Sequence, residues 1–111
     1  MRLKDIGEFG FIRRIRPGCL VRPEGVLRGI GDDAAAFRTD PGAVALVTTD
    51  LLIERVHFLR DAMTGAELGW KAMAVNLSDI AAMGGIARQA FVSIAVPESC
   101  ELDYLDGVFA R

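Results

Sequence analysis

Apolar and polar positions alternate along this chain with several different periods, and each period predicts an element. Between Lys4 and Ile15 the apolar residues Ile6, Phe9, Ile12 and Ile15 recur every three positions, which predicts a helix. Pro17-Gly18 should end it. Residues 18–28 read as a loop with a short extended piece, and Ala34–Arg38 as a short strand. Asp40-Pro41-Gly42 is a turn signal. Val44-Ala45-Leu46-Val47 is then an uninterrupted apolar run, the pattern of a strand buried on both faces. It finishes in Thr48-Thr49-Asp50, which burial does not require. Leu51–Val56 continues apolar except for Glu54 and Arg55.

The next block has helical period. Thr64-Gly65-Ala66-Glu67 is a capping box, with Thr as N-cap and Glu three residues later. Gly84-Gly85 supplies the stop. Leu68, Ala72, Val75, Asp79 and Ala82 fall on one stripe of this helix, and two further stripes are also apolar. Only Glu67, Lys71 and Ser78 share a polar edge, with Glu67 and Lys71 forming an i,i+4 pair. The helix should therefore be buried on most sides, with Asp79 in an apolar stripe. Gln89–Val96 alternates as another strand. Pro97-Glu98-Ser99 turns the chain into a final helix over Glu101–Arg111, which stops at Arg111 without a cap.

Composition adds bounds. The 111 residues, 51% apolar and 25% charged, suit one domain. A net charge of −2 argues against a nucleic-acid partner. Arg13-Arg14-Ile15-Arg16 reads as cations at a helix C-terminus, with a phosphate patch as the alternative. Cys19 and Cys100 form neither a metal spacing nor a disulfide framework. No apolar run approaches the ~20 residues of a membrane span, and no signal peptide is evident. A cytoplasmic setting is the default expectation, with no membrane partner.

The chemistry sits where apolar segments end in acids. Gly29-Ile30-Gly31-Asp32-Asp33-Ala34 fits a dinucleotide fingerprint on paper, but the turn at residues 40–42 follows too soon for the helix that motif must open. Two adjacent carboxylates would repel a phosphate unless a cation sat between them. The segment is thus a Gly-Asp-Asp turn, either merely exposed or aimed at metal-bridged phosphate. Thr48 and Asp50 share a face of an extended chain and Thr49 points away, so their side chains alone cannot all reach one ion. Asp79 lies toward a helix C-terminus, where the macrodipole opposes its charge. It needs a cation, a proton or a local hydrogen bond. His57 reads either as a structural residue or as a functional one. Asp33, Asp50 and Asp79, with hydroxyls nearby, match the oxygen preference of Mg²⁺.

These segments together resemble one family. Gly29–Ala35, Thr48-Thr49-Asp50-Leu51-Leu52, Val56-His57-Phe58, Leu68-Gly69-Trp70-Lys71-Ala72 and Ala74–Gly85 look like the N-terminal domain of thiamine-monophosphate kinase, in the superfamily of aminoimidazole ribonucleotide synthetase. The resemblance implies an α+β domain over residues 1–111 with a mixed sheet and packed helices. It implies a homodimer in which two sheets meet, with ATP bound near the junction. It implies transfer of the ATP γ-phosphate to thiamine phosphate, giving thiamine diphosphate. By the matching motifs, Asp33, Thr48, Thr49, Asp50 and Asp79 would be the Mg²⁺ ligands and His57 would contact the thiamine substrate. Asp32 would support the turn. Phe109 falls near a position where many members carry a Tyr beside the nucleotide, and is left unassigned. No residue is assigned as a catalytic acid or base. Arg55 stands where the family usually has Gly, and Ala87 near a common Pro. The family's later Gly-Gly-Asp segment and C-terminal domain are absent from these residues, so the chain is expected to be a fragment, inactive alone. Other branches of the superfamily (purine synthesis, selenophosphate formation, hydrogenase maturation) and a non-catalytic dimerisation domain are the alternatives.

Overall fold

The computed structural model describes residues 1–110. In order, it contains helix α1 (Leu3–Cys19), strands β1 (Val26–Arg28) and β2 (Ala36–Phe37), helix α2 (Gly65–Ala82) and helix α3 (Leu102–Val108). The two strands pair antiparallel. Helices and a sheet that are separate along the chain make this an α+β fold, as expected. Arg111, the expected last residue of the final helix, lies outside the described residues.

The core is built where the two ends of the chain meet. Phe11, Cys100, Leu102 and Leu105 are buried, and Leu3, Ile6, Ile15, Val96, Tyr104 and Phe109 pack around them. Burying side chains such as Leu102 and Leu105 contributes roughly 1.5–3 kcal/mol each. The ring of Phe109 meets Phe11 edge-on, with centroids 5.6 Å apart. Backbone bonds close the junction: Leu3 N–H donates to Cys100 O (3.0 Å), and Leu102 N–H donates to Met1 O (3.0 Å). Arg14 grips the Asp106 carboxylate with two N–H groups, at 2.7 and 2.5 Å. That grip holds the Asp106 carboxyl below the usual carboxylate range. The basic run 13–16 is thus partly an anchor for α3 and not only a dipole complement.

Helix α1 overruns its expected limits. It leaves helical geometry at Gly7 (φ 66°, ψ −175°) and continues past Pro17 to Cys19. Proline's locked φ near −65° is itself helical, so one further turn is possible.

Helix α2 starts as its sequence dictates. Glu67 N–H donates to the Thr64 hydroxyl (3.2 Å), and Thr64 N–H donates to the Glu67 carboxylate (2.8 Å). Those bonds, the backbone one foremost, hold the Glu67 carboxyl low. Gly84, at φ 71°, ends the helix in the left-handed conformation that glycine adopts freely. The first two turns of α2 press against α3. A Cβ on Gly65 would lie 2.0 Å from the Tyr104 carbonyl oxygen, and one on Gly69 would lie 2.1 Å from that of Val108. On the α3 side, a Cβ on Gly107 would lie 3.0 Å from Ala66 N, a looser but still tight approach. Only hydrogens fit at this crossing.

Two expected strands do not form. Residues 43–53 and 85–97 carry no ladder within the chain. Val44 and Val47 are 86% and 87% exposed, so the central run is not buried. The larger mixed sheet is therefore not assembled among the described residues. The physical reason is that a strand is held by a neighbouring edge and by cover over its apolar face, and this chain offers the central run neither. The radius of gyration is 15.3 Å, against about 13 Å for a compact domain of this length. The segment 85–97 is held loosely. Arg88 pairs with Asp40 (2.7 Å), Phe91 lies 6.0 Å from Phe37, and Arg22 donates to the Ala87 carbonyl (3.3 Å).

Helix α2 is likewise not buried on most sides. Gly65 alone is fully covered, while Trp70, Met73, Leu77 and Met83 are exposed. Their stripes point away from α3, and no other element covers them.

Replacing Gly69 by Ala tests the helix crossing. The new methyl meets backbone, which cannot swing aside, so overpacking should cost about 1–3 kcal/mol despite alanine's better helix propensity. Thermal unfolding of the variant should show a clear loss of stability. A stability equal to or above that of the parent would mean that α2 and α3 are not held this close.

Candidate functional site

The site is the meeting of three segments: the Gly-Asp-Asp turn, the end of the central run, and the last turns of α2. Gly31 (φ 116°) lets the first segment fold back so sharply that Ile30 and Asp32 bridge. Asp32 accepts from the Asp33 N–H (2.9 Å) and lies 4.0 Å from Arg28. Asp32 is thus used within the turn. The Asp33 carboxylate has no hydrogen bond or ion pair among the described residues.

Thr48 ends the central run and is half-buried. Its hydroxyl donates to Asp79 Oδ2 at 3.2 Å. Among the described residues this is the one hydrogen bond between expected site residues from different segments, and it spans 31 positions. It also corrects the expectation for Asp79. The carboxylate is exposed, not desolvated. The charge at the helix C-terminus is met by water and by Thr48. Thr49 and Asp50 are exposed, without side-chain partners among the described residues. Asn76, on the same helix, turns back to donate to the Ala72 carbonyl of its own helix (2.8 Å). No group of three or more His, Cys, Asp or Glu side chains stands close enough to hold a metal among the described residues. The donor set consists of hard oxygens throughout, which suits Mg²⁺. Of that set the structure brings Thr48 and Asp79 into contact.

His57 belongs to a tightly tied loop. Its N–H donates to Ile53 O (2.8 Å), Ile53 N–H donates to His57 Nδ1 (3.0 Å), and Arg55 N–H donates to Phe58 O (2.7 Å). Because Nδ1 accepts, a neutral ring carries its proton on Nε2, which is left for an outside partner. The loop is fixed to α2 by Lys71, whose ammonium donates to the His57 carbonyl oxygen (2.5 Å). Lys71 thus serves the loop, and the Glu67–Lys71 pair does not form. Pattern reading places Lys71 on a polar edge, with no signal that it reaches back 14 positions. Arg55 adopts φ 69°, a left-handed backbone that costs a non-glycine residue roughly 1–2 kcal/mol. The departure from glycine there thus falls on the position where glycine would be least strained.

A family profile described as "AIR synthase related protein, N-terminal domain" matches residues 31–110. The thiamine-monophosphate kinase of Aquifex aeolicus is 42% identical over 106 residues, covering 96% of this chain and 32% of the relative. That of Bacillus subtilis is 44% identical over 90 residues, covering 81% and 27%. That of Mycobacterium tuberculosis strain H37Rv is 40% identical over 95 residues, covering 86% and 28%. The chain therefore spans about a third of the length of these relatives. No solved structure matches it. No helix among the described residues is long and apolar enough to cross a membrane. The matched span contains Asp32-Asp33, the Thr48–Asp79 contact and the His57 loop, and the chain belongs to the AIR synthase related protein family, as its N-terminal domain.

Proposed function

We propose that this chain is the nucleotide- and metal-binding and dimerisation domain of a cytoplasmic kinase that transfers the ATP γ-phosphate to thiamine phosphate. The thiamine-monophosphate kinases among its relatives support the reaction. The observation that carries the site is the Thr48–Asp79 hydrogen bond, which joins the end of the central run to the end of α2. Asp33, Thr48, Thr49, Asp50 and Asp79 would hold Mg²⁺. When bound, the ion would neutralise phosphate charge and orient the transferred group. The chain's own contribution is placement: α2 fixes Asp79 beside Thr48, and the Gly-Asp-Asp turn leaves Asp33 free. His57 presents Nε2 toward the thiamine substrate. Phosphoryl transfer needs positioning and charge neutralisation more than covalent help, so no acid or base is assigned. A partial site loses rate steeply, because groups acting together are far from additive. The 111 residues alone should bind Mg²⁺–ATP weakly and show no turnover.

The exposed apolar residues of the central run support a homodimer, since an uncovered patch of Val44, Leu46, Val47, Leu51 and Ile53 is costly in water.

In the full-length enzyme Asp79→Asn should reduce turnover by ~100-fold or more while leaving the melting temperature nearly unchanged. The amide oxygen can still accept from Thr48, so the variant removes charge and keeps shape. A variant that melts early yet turns over normally would contradict the role of Asp79. Light scattering at micromolar concentration should give twice the mass of one full-length chain; a well-folded monomer would remove the dimer.

A further inference from the structure

Arg55 occupies a left-handed backbone (φ 69°) with an exposed side chain, in the same loop as His57. Strained positions persist where the surroundings over-determine them, and they cluster at ligand sites. Here the surroundings do so: the bonds among Ile53, Arg55, His57 and Phe58 cross-tie the loop, and Lys71 pins it from α2. The other cations nearby are occupied. Arg60 pairs with Glu54 (3.4 Å), and Lys71 is used on the His57 carbonyl. The Arg55 guanidinium alone has no hydrogen bond or ion pair among the described residues.

We propose that Arg55 is a substrate-binding residue that contacts the phosphate of the phosphorylated acceptor. This rests on the reading of His57 as the acceptor contact. A guanidinium presents a planar fork of donors that matches phosphate oxygens in pairs, and it stays charged at every working pH. The acceptor must offer an aromatic or cationic head to His57 and an anion to Arg55, and a phosphate monoester of a heterocyclic alcohol does both. The cross-ties fix the backbone on which both side chains stand, which limits the entropy lost on binding, while the Arg55 guanidinium stays unengaged until an anion arrives. The phosphates of ATP are the competing source of the same chemistry, and the test separates the two.

The experiment compares full-length wild type with Arg55→Gly, Arg55→Asn and Arg55→Lys. Glycine and asparagine tolerate the left-handed backbone, so these variants remove the charge without forcing the loop to move. Arg55→Gly should raise KM for thiamine phosphate about 10-fold, with kcat within about twofold and KM for ATP unchanged. Arg55→Asn should behave alike, and Arg55→Lys should recover part of the loss. The melting temperature of Arg55→Gly should not fall. An unchanged KM for thiamine phosphate, or a rise in KM for ATP alone, would overturn the proposal while leaving the kinase reading intact. Wild-type enzyme that neither binds thiamine phosphate in a calorimetric titration nor turns it over would overturn the kinase reading and this proposal together.

Discussion

The glycine-lined crossing of α2 and α3 is the constraint on which the rest of the structure hangs. Gly65, Gly69 and Gly107 let the two helices approach until backbone touches backbone. Helix α3 is itself held by Phe11, Arg14 and the bonds from the first residues of the chain. Position therefore passes from α1 to α3 and from α3 to α2. From α2 it passes outward through two side chains. Asp79 meets Thr48, and Lys71 holds the His57 loop. Both candidate substrate-facing segments are thus placed by one helix, though they lie on irregular chain.

That arrangement separates a well-packed part from an uncovered part. The buried residues gather around α3, while the central run and the segment 85–97 lie open with most of their apolar side chains exposed, Val96 being packed against the core. The two parts meet the same physical rule with opposite outcomes. Helices satisfy their backbone internally and need cover on one face only. Strands need a neighbour for every backbone group and cover besides. The chain supplies enough cover for its helices and a two-stranded pair, and too little for the larger mixed sheet.

Much of this was legible in the residues, and the rest fails for identifiable reasons. The Thr64–Glu67 capping box, the Gly84 stop and the turn at residues 40–42 are local signals, and all appear as read. Apolarity predicts a strand at residues 44–50, but it reports a demand for burial and not whether this chain meets it. For the same reason the apolar stripes of α2 overstate its burial, and Asp79 is exposed. Its pairing with Thr48 depends on tertiary placement, which no spacing encodes. Arg55 was visible only as a departure from glycine; its positive φ supplies the physical cost of that departure. Phe109, near a nucleotide position by resemblance, packs on Phe11 instead.

In the proposed function, the carboxylates around the Thr48–Asp79 contact would hold Mg²⁺ against nucleotide phosphates. Calorimetric titration of ATP into the full-length protein, with and without Mg²⁺, tests it most directly. Affinity should be at least ~10-fold higher with Mg²⁺, because carboxylates repel bare phosphate and attract it only through a cation. Equal affinity in the two titrations would contradict it.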